Sequence, residues 1–344
     1  MKKLKDLFWP LIGLGAVIWS VRLLYFKLKL EAAGTASVSA ALEQGNLWDH
    51  LKIIAVEIGH KLSAIPTQDY VLAACCTLIA YMALAWYDRI ALIHLHKEKG
   101  ISWVYISLCS FVTYALSHNI GGSVFSGGLV RFRAYTAKGL STAEVAVLVA
   151  ITSFTFSFGT ILCGGFVLLF EPNVVRPLLK MSYMNVSDLW IMLIGSSMLG
   201  FCALYVAGSL LKLKPLLIKG FKLEYPALPV VVRQLFAAPV ELLGAAGIIY
   251  FVLPDAGNPG FFVVLGAFLL SFSAGLLFQV PGGIGVMETV FIAVMPGIAP
   301  IAVFAALLVW RLFYLIIPLI LSIPVVLFFE RAQLLKRKEL QLRT

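Results

Sequence analysis

The sequence predicts an all-α polytopic membrane protein with about seven to nine membrane segments. Of its 344 residues, 61% are hydrophobic and only 13% are charged, and the mean hydropathy is +0.96. Stretches such as 142–170 and 301–329 exceed the roughly 20 residues that a helix needs to cross a bilayer, and they lack the alternation of a membrane β-strand. The longest relatively polar stretch, 31–68, is too short for a soluble catalytic domain. One transmembrane domain over residues 1–344 is therefore expected.

The predicted membrane segments follow one another along the whole chain. They are 7–26, 69–93, 101–118 with a return segment to 130, 142–170, 188–211, 228–253, 260–278 with a return segment 284–296, and 301–329. The first begins with the basic-then-apolar order of a signal sequence, and 38–40 has the small residues of a cleavage site. Its apolar run continues to Phe26, beyond the length of a signal peptide, which favours an uncleaved first span.

The segment 31–68 contains the pattern of an amphipathic helix. Its apolar residues recur every three or four positions, and charged residues lie between them. The apolar set is Leu47, Trp48, Leu51, Ile54, Ile58 and Leu62, and the charged set is Asp49, Lys52, Glu57 and Lys61. Such a helix is expected to lie on the outer surface of the membrane.

Basic residues orient the predicted segments. The chain has 27 lysines and arginines and a formal net charge of +10. If the N-terminus is cytoplasmic, most of these residues fall on the cytoplasmic side, and the tail 330–344 joins them there. Both termini are thus predicted to face the cytoplasm. The positive charge then reflects orientation and attraction to anionic lipid, so nucleic acid is not expected as a partner.

Two apolar stretches, 111–135 and 272–291, are each broken by a Gly-Gly pair. Within a bilayer, non-helical backbone is tolerated only where protein or a water-filled cavity satisfies its polar groups, and transporters place binding sites at such paired breaks. The predicted orientation makes them two inverted re-entrant hairpins whose tips meet near the membrane centre; a full crossing at 260–278 is an open alternative. The tips contain Asn119, Gly121 and Gly122 in the first hairpin and Gln279, Pro281, Gly282, Gly283 and Gly285 in the second.

Ionisable residues within or beside the predicted spans are functional candidates, because a charge at membrane depth costs at least roughly 2.5 to 3.5 kcal/mol. Arg311 lies near the middle of the last span, and Glu288 begins the return helix of the second hairpin. The remaining candidates are Asp88, Arg131, Arg133, Arg233 and Glu241, of which Arg233 and Glu241 could belong to two levels of one cavity. Two alternatives stay open: structural ion pairs, such as Glu288 with Arg311, and interfacial anchoring of Asp88, Arg89, Arg131 and Arg133.

The sequence has few features that indicate metal binding, nucleotide binding or catalysis. The histidines His94, His96 and His118 lack the grouping with carboxylates that would hold a metal. Nucleotide-binding and hydrolase motifs are absent from the sequence. The cysteines Cys75, Cys76, Cys109, Cys163 and Cys202 fall in predicted spans and are expected to act as small hydrophobic residues. We therefore expect neither a metal nor a cofactor, and a transporter-like protein that is not an enzyme.

Four landmarks resemble the membrane domain of the bacterial lysylphosphatidylglycerol synthase/flippase family, the multiple peptide resistance factors, and their stand-alone relatives. They are AYMALAWYDRIAL (80–92), SHNIGGSVFSGGLVRFRAYTAKGLS (117–141), VPGGIGVMETV (280–290) and WRLFYLIIP (310–318). The resemblance implies a flippase domain that moves an aminoacylated or other phospholipid between leaflets, with a role in antimicrobial peptide resistance. Asp88, Asn119, Arg131, Arg133, Glu288 and Arg311 fall on the family landmarks.

The candidate substrate-binding residues are Asp88, Asn119, Gly121, Gly122, Arg131, Arg133, Arg233, Glu241, Pro281, Gly282, Gly283, Glu288 and Arg311. The arginines and the helix N-termini at the tips would contact lipid phosphate, and the carboxylates could hold a cationic headgroup. Full-length family members carry a soluble aminoacyl-transferase domain, whereas this sequence ends in a short basic tail, so it is not expected to synthesise the lipid. A membrane scaffold for a separate lipid synthase and a membrane-embedded lipid-modifying enzyme are the alternatives. A second copy of the chain is a further candidate partner.

Overall fold

A computed structural model of the protein describes residues 2–32, 46–120, 123–184, 186–212, 216–218, 221–223 and 226–341. Within these residues the chain is almost entirely helical, which confirms the predicted all-α polytopic membrane fold. Three parts of the sequence predictions lie outside the described residues: the tip residues Gly121 and Gly122, positions 33–45 of the segment 31–68, and positions 342–344 of the tail.

The helices follow the predicted segments in order, with short 3-10 turns at some of the connections. They are α1 (Lys2–Ala32), α2 (Leu47–Ala64), α3 (Thr67–His94), α4 (Trp103–Ile120), α5 (Ser123–Thr136), α6 (Thr142–Phe170), α7 (Arg176–Met181), α8 (Asp188–Leu210), α9 (Leu228–Val252), α10 (Phe261–Leu277), α11 (Val286–Val294), α12 (Pro300–Trp310) and α13 (Ile317–Gln341). A π-helical turn, Arg311–Ile316, joins α12 to α13 without a break. The connection between α8 and α9 also holds a two-stranded antiparallel hairpin, β1 (Leu216–Ile218) and β2 (Phe221–Leu223), which the sequence did not predict.

Among the described residues, five stretches are long and apolar enough to cross a membrane. They are Thr67–His94, Thr142–Phe170, Asp188–Leu210, Leu228–Val252 and Pro300–Leu335, and each coincides with a predicted span. Two shorter apolar stretches, Phe261–Leu277 and Pro281–Val294, correspond to the second predicted hairpin. The helix α1 contains the predicted first span, 7–26.

The centre of the molecule is the contact between α9 and α3. Small residues allow the two backbones to approach closely: a Cβ added to Gly244 would lie only 3.0 Å from the carbonyl oxygen of Cys76 and 3.1 Å from Ala80 Cβ. Ala245, Ala246 and the neighbouring Ile248 are fully buried in the same core. Because lipid tails are as apolar as leucine, this packing must stabilise the helix pair through close van der Waals contact.

The predicted amphipathic helix is present as α2. Its first turn is capped by Asn46, whose side chain accepts hydrogen bonds from the backbone of Trp48 and Asp49. Ile54 is buried against α1 and α12, whereas Leu47 and Trp48 are 58% and 73% exposed. The helix therefore packs one part of its apolar face on the protein and leaves the other part free to meet lipid.

The two broken segments form two helical hairpins, α4 with α5 and α10 with α11. The second hairpin turns through the short 3-10 segment Pro281–Gly283, which packs against α4. A Cβ added to Gly282 would lie 3.9 Å from the carbonyl oxygen of His118, near the end of α4. The tips of the two hairpins therefore meet in the interior, as the sequence predicted.

Candidate functional site

The π-helical turn is the point on which the two hairpin tips converge. A π-turn shifts the hydrogen-bond register of a helix, so neighbouring groups must satisfy its carbonyls at membrane depth. Tyr81 on α3 donates through its hydroxyl to the carbonyl oxygen of Tyr314 across 3.0 Å. Asn119, at the end of α4, donates through Nδ2 to the carbonyl oxygen of Leu315 across 3.1 Å. The turn is therefore stabilised by α3 and by the first hairpin.

The second tip is attached to the same turn by Arg311. Its Nη1 donates to the carbonyl oxygen of Gly282 across 2.7 Å. Gly282 has φ +58° and Gly283 has φ +65°, backbone angles that favour glycine, so the Gly-Gly pair permits the sharp reversal. Asn119 and Arg311 thus join the two hairpins through a single helical turn.

Glu288 completes this junction from the start of α11. Its Oε2 accepts a hydrogen bond of 2.8 Å from the backbone nitrogen of Gly285, which caps the helix. Its Oε1 accepts a 2.6 Å hydrogen bond from Arg311 Nε, and Arg311 Nη2 lies 2.5 Å from the same oxygen without the alignment of a hydrogen bond. The Glu288–Arg311 ion pair considered from the sequence is therefore present, and it holds the second tip against the π-turn.

A second buried ion pair joins α3 to the first hairpin. Arg131 donates through Nε and Nη2 to Asp88 Oδ1, at 3.1 and 2.7 Å. The hydroxyl of Tyr135 donates to Asp88 Oδ2 across 2.8 Å, so both carboxylate oxygens are occupied. The guanidinium also lies over the ring of Tyr114, 4.9 Å from its centre. Asp88 is fully buried, so its carboxylate contacts protein groups alone.

Glu241, near the middle of α9, is bound by hydroxyl groups alone. Tyr314 donates to its Oε1 across 2.5 Å, and Tyr87 donates to its Oε2 across 3.4 Å. The residue is 2% exposed. The described part of the chain has no lysine or arginine within ion-pair distance of this carboxylate.

A cavity of about 350 Å³ lies between the two tips and α6. Its apolar lining includes Leu84, Phe156, Phe272, Leu276, Met287 and Trp310. Its polar lining includes Ser117, His118, Arg131, Thr152, Ser153 and Gln279. Two lining residues carry buried nitrogens, His118 Nδ1 and Trp310 Nε1, for which the described residues supply no hydrogen-bond partner. An unpaired buried donor or acceptor costs about 1–3 kcal/mol, so each of these atoms would be stabilised by a polar partner.

The predicted site residues take three different positions. Arg131, Gly282 and Gly283 line the cavity. Asp88, Asn119, Glu241, Glu288 and Arg311 lie behind the wall and hold its elements together, and Pro281 begins the tip turn. None of the three carboxylates expected to hold a cationic headgroup lines this cavity.

Arg133 and Arg233 lie away from the cavity. Arg133 is exposed and pairs with Glu330 on α13, 2.6 Å away. Arg233 is also exposed, and its Nη1 donates to the carbonyl oxygen of Pro229 on its own helix. The expectation that Arg233 and Glu241 share one cavity is wrong. A separation of eight residues turns a helix by about two turns and a further 80°, so the two side chains leave α9 in different directions.

The cavity contains residues that the sequence reasoning did not select. His118 is stacked on Tyr314, with ring centres 5.3 Å apart, and meets Tyr114 at 5.5 Å. Tyr114 and His118 are four residues apart on α4, the spacing that places side chains on one helix face next to each other. That spacing, beside the first tip, was the available signal. For Trp310 the available signal was its position next to Arg311, at the start of the fourth landmark.

The comparisons with known proteins agree with this architecture. A model of the lysylphosphatidylglycerol synthase TM region matches residues 11–322. The chain belongs to this family. It is 32% identical over 251 residues to the uncharacterized protein slr0712 of Synechocystis sp., covering 70% of this chain and 73% of that one. It is also 32% identical over 262 residues to the inner membrane protein YbhN of Escherichia coli, covering 74% of this chain and 77% of that protein.

The family match extends across nearly all of the described elements. It runs from α1 into α13, so both hairpins, the π-turn and the cavity fall inside it. The cavity is therefore a feature of the family region itself and not of an added segment.

Proposed function

We propose that the protein is a phospholipid translocase that moves a lipid headgroup through the cavity between the two hairpin tips, while the acyl chains remain in the apolar phase. The cavity and its two unpaired nitrogens carry this proposal. A volume of about 350 Å³ falls within the roughly 300–1,000 Å³ of ordinary small-molecule sites. A lining that combines polar and apolar side chains suits a lipid, since a headgroup and the adjoining chains can then both find contacts.

The charges of the wall support recognition of the lipid phosphate. Arg131 is part of the described lining, which contains no aspartate or glutamate. The carboxylate of Asp88 lies behind the guanidinium, so the positive end of the ion pair is directed toward the cavity. His118 and Trp310 add nitrogens that can donate to phosphate oxygens, and Ser117 and Ser153 add hydroxyls for a glycerol headgroup. Phosphatidylglycerol and its aminoacylated form both carry these groups.

We also propose an inner-membrane location with both termini in the cytoplasm. The name of the Escherichia coli relative gives that protein as an inner membrane protein. The orientation rests on the distribution of basic residues along this chain.

Reconstitution into vesicles tests the proposal. Purified protein is incorporated with a trace of phosphatidylglycerol carrying a fluorophore on one acyl chain, and an impermeant quencher is added outside. We expect the protein to expose inner-leaflet label to the quencher faster than in protein-free vesicles. The same assay with lysylphosphatidylglycerol measures whether a cationic headgroup is accepted.

Two results would oppose the proposal. The first is a protein that folds and inserts correctly but exchanges neither lipid. That result would favour a scaffold for a separate lipid synthase. Chemical change of the labelled lipid, detected by mass spectrometry of the extracted lipids, would indicate a membrane-embedded enzyme instead.

A further inference from the structure

Among the described residues, three carboxylates are buried in the body of the protein, and one of them lacks a cation. Asp88 is paired with Arg131, and Glu288 is paired with Arg311. Glu241 is as deeply buried, at 2% exposure, but the structure gives it only the hydroxyls of Tyr314 and Tyr87. An arginine therefore neutralises each of the first two carboxylates, whereas no cation neutralises the third.

The surroundings of Glu241 contain titratable groups but no permanent positive charge. The titratable side chains that face it are Tyr81 and Tyr87 on α3, Tyr114 on α4, Cys163 on α6 and Tyr314 in the π-turn. All of these are neutral when protonated. Among the described residues of the helices packed around it, no lysine, arginine or histidine contacts Glu241. The carboxylate is therefore held by neutral hydroxyl groups alone.

We propose that Glu241 is the binding site for a coupling proton, and that its proton occupancy drives net lipid movement. This inference rests on the proposed function, because it identifies the coupling ion of the same translocase. Unpaired carboxylates inside membrane proteins commonly serve as proton relays. Each transport cycle binds one proton to the carboxylate from one side and releases one proton to the other side, and nothing else is consumed.

Tyr314 links Glu241 to the lipid cavity. Its hydroxyl contacts the carboxylate, and its ring stacks on His118, a wall residue, at an interplanar angle of 18°. Tyr314 also belongs to the π-turn, three residues after Arg311, which holds the second tip through Gly282. One side chain therefore contacts the proton site, the cavity wall and the turn that supports both tips.

Proton binding changes the strength of this link. A carboxylate accepts a hydrogen bond from a hydroxyl more strongly than a neutral carboxylic acid does. Protonation of Glu241 thus weakens its hold on Tyr314 and favours a different register of the π-turn. Arg311 and Asn119 hold the two tips on that turn, so a change in its register alters both sides of the cavity. The π-turn is then the two-state element that coupling requires.

A pH gradient across reconstituted vesicles tests the coupling. Wild-type protein, the Glu241→Gln variant and a Glu57→Gln control are reconstituted with labelled phosphatidylglycerol, and leaflet distribution is followed with and without a protonophore. Glu57 is a surface residue of α2, 43% exposed and paired with Lys61. We expect the gradient to shift the label toward one leaflet for the wild type and for the control, and the protonophore to abolish the shift. Glu241→Gln should show no shift that depends on the gradient.

Infrared difference spectroscopy between high and low pH tests proton binding without transport. The wild type should show a protonated carboxyl band, shielded from solvent exchange, that Glu241→Gln lacks and Glu57→Gln retains. Absence of that band in the wild type overturns the proposal, as does a gradient response in Glu241→Gln equal to that of the wild type. Lack of lipid exchange by the wild type with the band present would refute the translocase function and leave Glu241 as a proton site.

Discussion

Arg311 Nη1 donates to the carbonyl oxygen of Gly282 across 2.7 Å, and this bond fastens the tip of the second hairpin to the π-turn of the last long helix. Asn119 fastens the first tip to the same turn through Leu315. The cavity between the tips thus depends on six residues of one helix, Arg311–Ile316. Changes in this turn should alter the cavity far more than changes elsewhere in the same helix.

Replacement of Arg311 by lysine should reduce lipid exchange about tenfold or more. Lysine lacks the planar group that contacts Glu288 and Gly282 together, and loss of one charge-assisted hydrogen bond costs about 1.5–3 kcal/mol, where 1.4 kcal/mol is a factor of ten. Exchange rates in vesicles measure the effect.

The double variant Glu288→Gln with Arg311→Gln separates a structural ion pair from a functional one. Removing both charges avoids an unpaired buried charge, so the protein should fold and insert. We expect its exchange to remain low, because the bond to Gly282 is still lost. Full exchange in this variant would mean that the pair only joins two helices.

Gly282→Ala should slow exchange, whereas Gly200→Ala should leave it unchanged. Gly282 has φ +58°, which costs a non-glycine residue roughly 1–2 kcal/mol, and the new Cβ would lie 3.4 Å from Arg311 Nη1. Gly200 is a matched control inside α8, because an added Cβ meets nothing within 4 Å. Both variants are compared by exchange rate and by thermal unfolding in detergent. Equal rates for the two would show that the tip geometry does not limit transport.

Asp88→Asn should destabilise the protein by about 3–5 kcal/mol, the cost of leaving a buried charge without its partner. The control is Asp188→Asn, which breaks the half-exposed pair with Arg176 and should cost less than about 1 kcal/mol. Denaturant unfolding in one detergent measures both. If the two variants lost similar stability, the buried pair would not support the first hairpin as described.

Cysteine labelling tests the orientation. In a background without the native cysteines, single cysteines replace Lys138, after the first hairpin, and Asp255, between α9 and α10; both native residues are exposed. An impermeant thiol reagent applied to intact cells should label position 255 and spare position 138. Labelling of position 138 but not of position 255 would show that the true orientation is the opposite of the proposed one.

Most of the fold could be predicted from the sequence, because long apolar runs define helices with little ambiguity. The π-turn could not. No glycine or proline interrupts 311–316, and the shifted register depends on Tyr81 and Asn119, which arrive from distant parts of the chain. The small hairpin of β1 and β2 escaped prediction because its strands have only three residues each.

The candidate site was predicted in part. Asp88, Arg131, Glu288 and Arg311 could be selected because they lie within apolar runs, where a charged side chain is costly and therefore rare. Asp88 and Arg131 lie on different helices and are 43 positions apart in the sequence. Their pairing therefore follows only from the tertiary packing. His118 and Trp310 were missed because uncharged aromatic residues are common in membrane helices.

If lipid passes through the cavity between the two tips, a side chain that fills the cavity should stop exchange. Ser153→Trp places a large side chain on the cavity wall, and Leu204→Trp, at a position 73% exposed on α8, is the control. Exchange of labelled phosphatidylglycerol is measured in vesicles with equal amounts of inserted protein. We expect the exchange rate of Ser153→Trp to fall to that of protein-free vesicles and Leu204→Trp to keep the wild-type rate. Wild-type exchange by a folded Ser153→Trp protein would contradict the proposal.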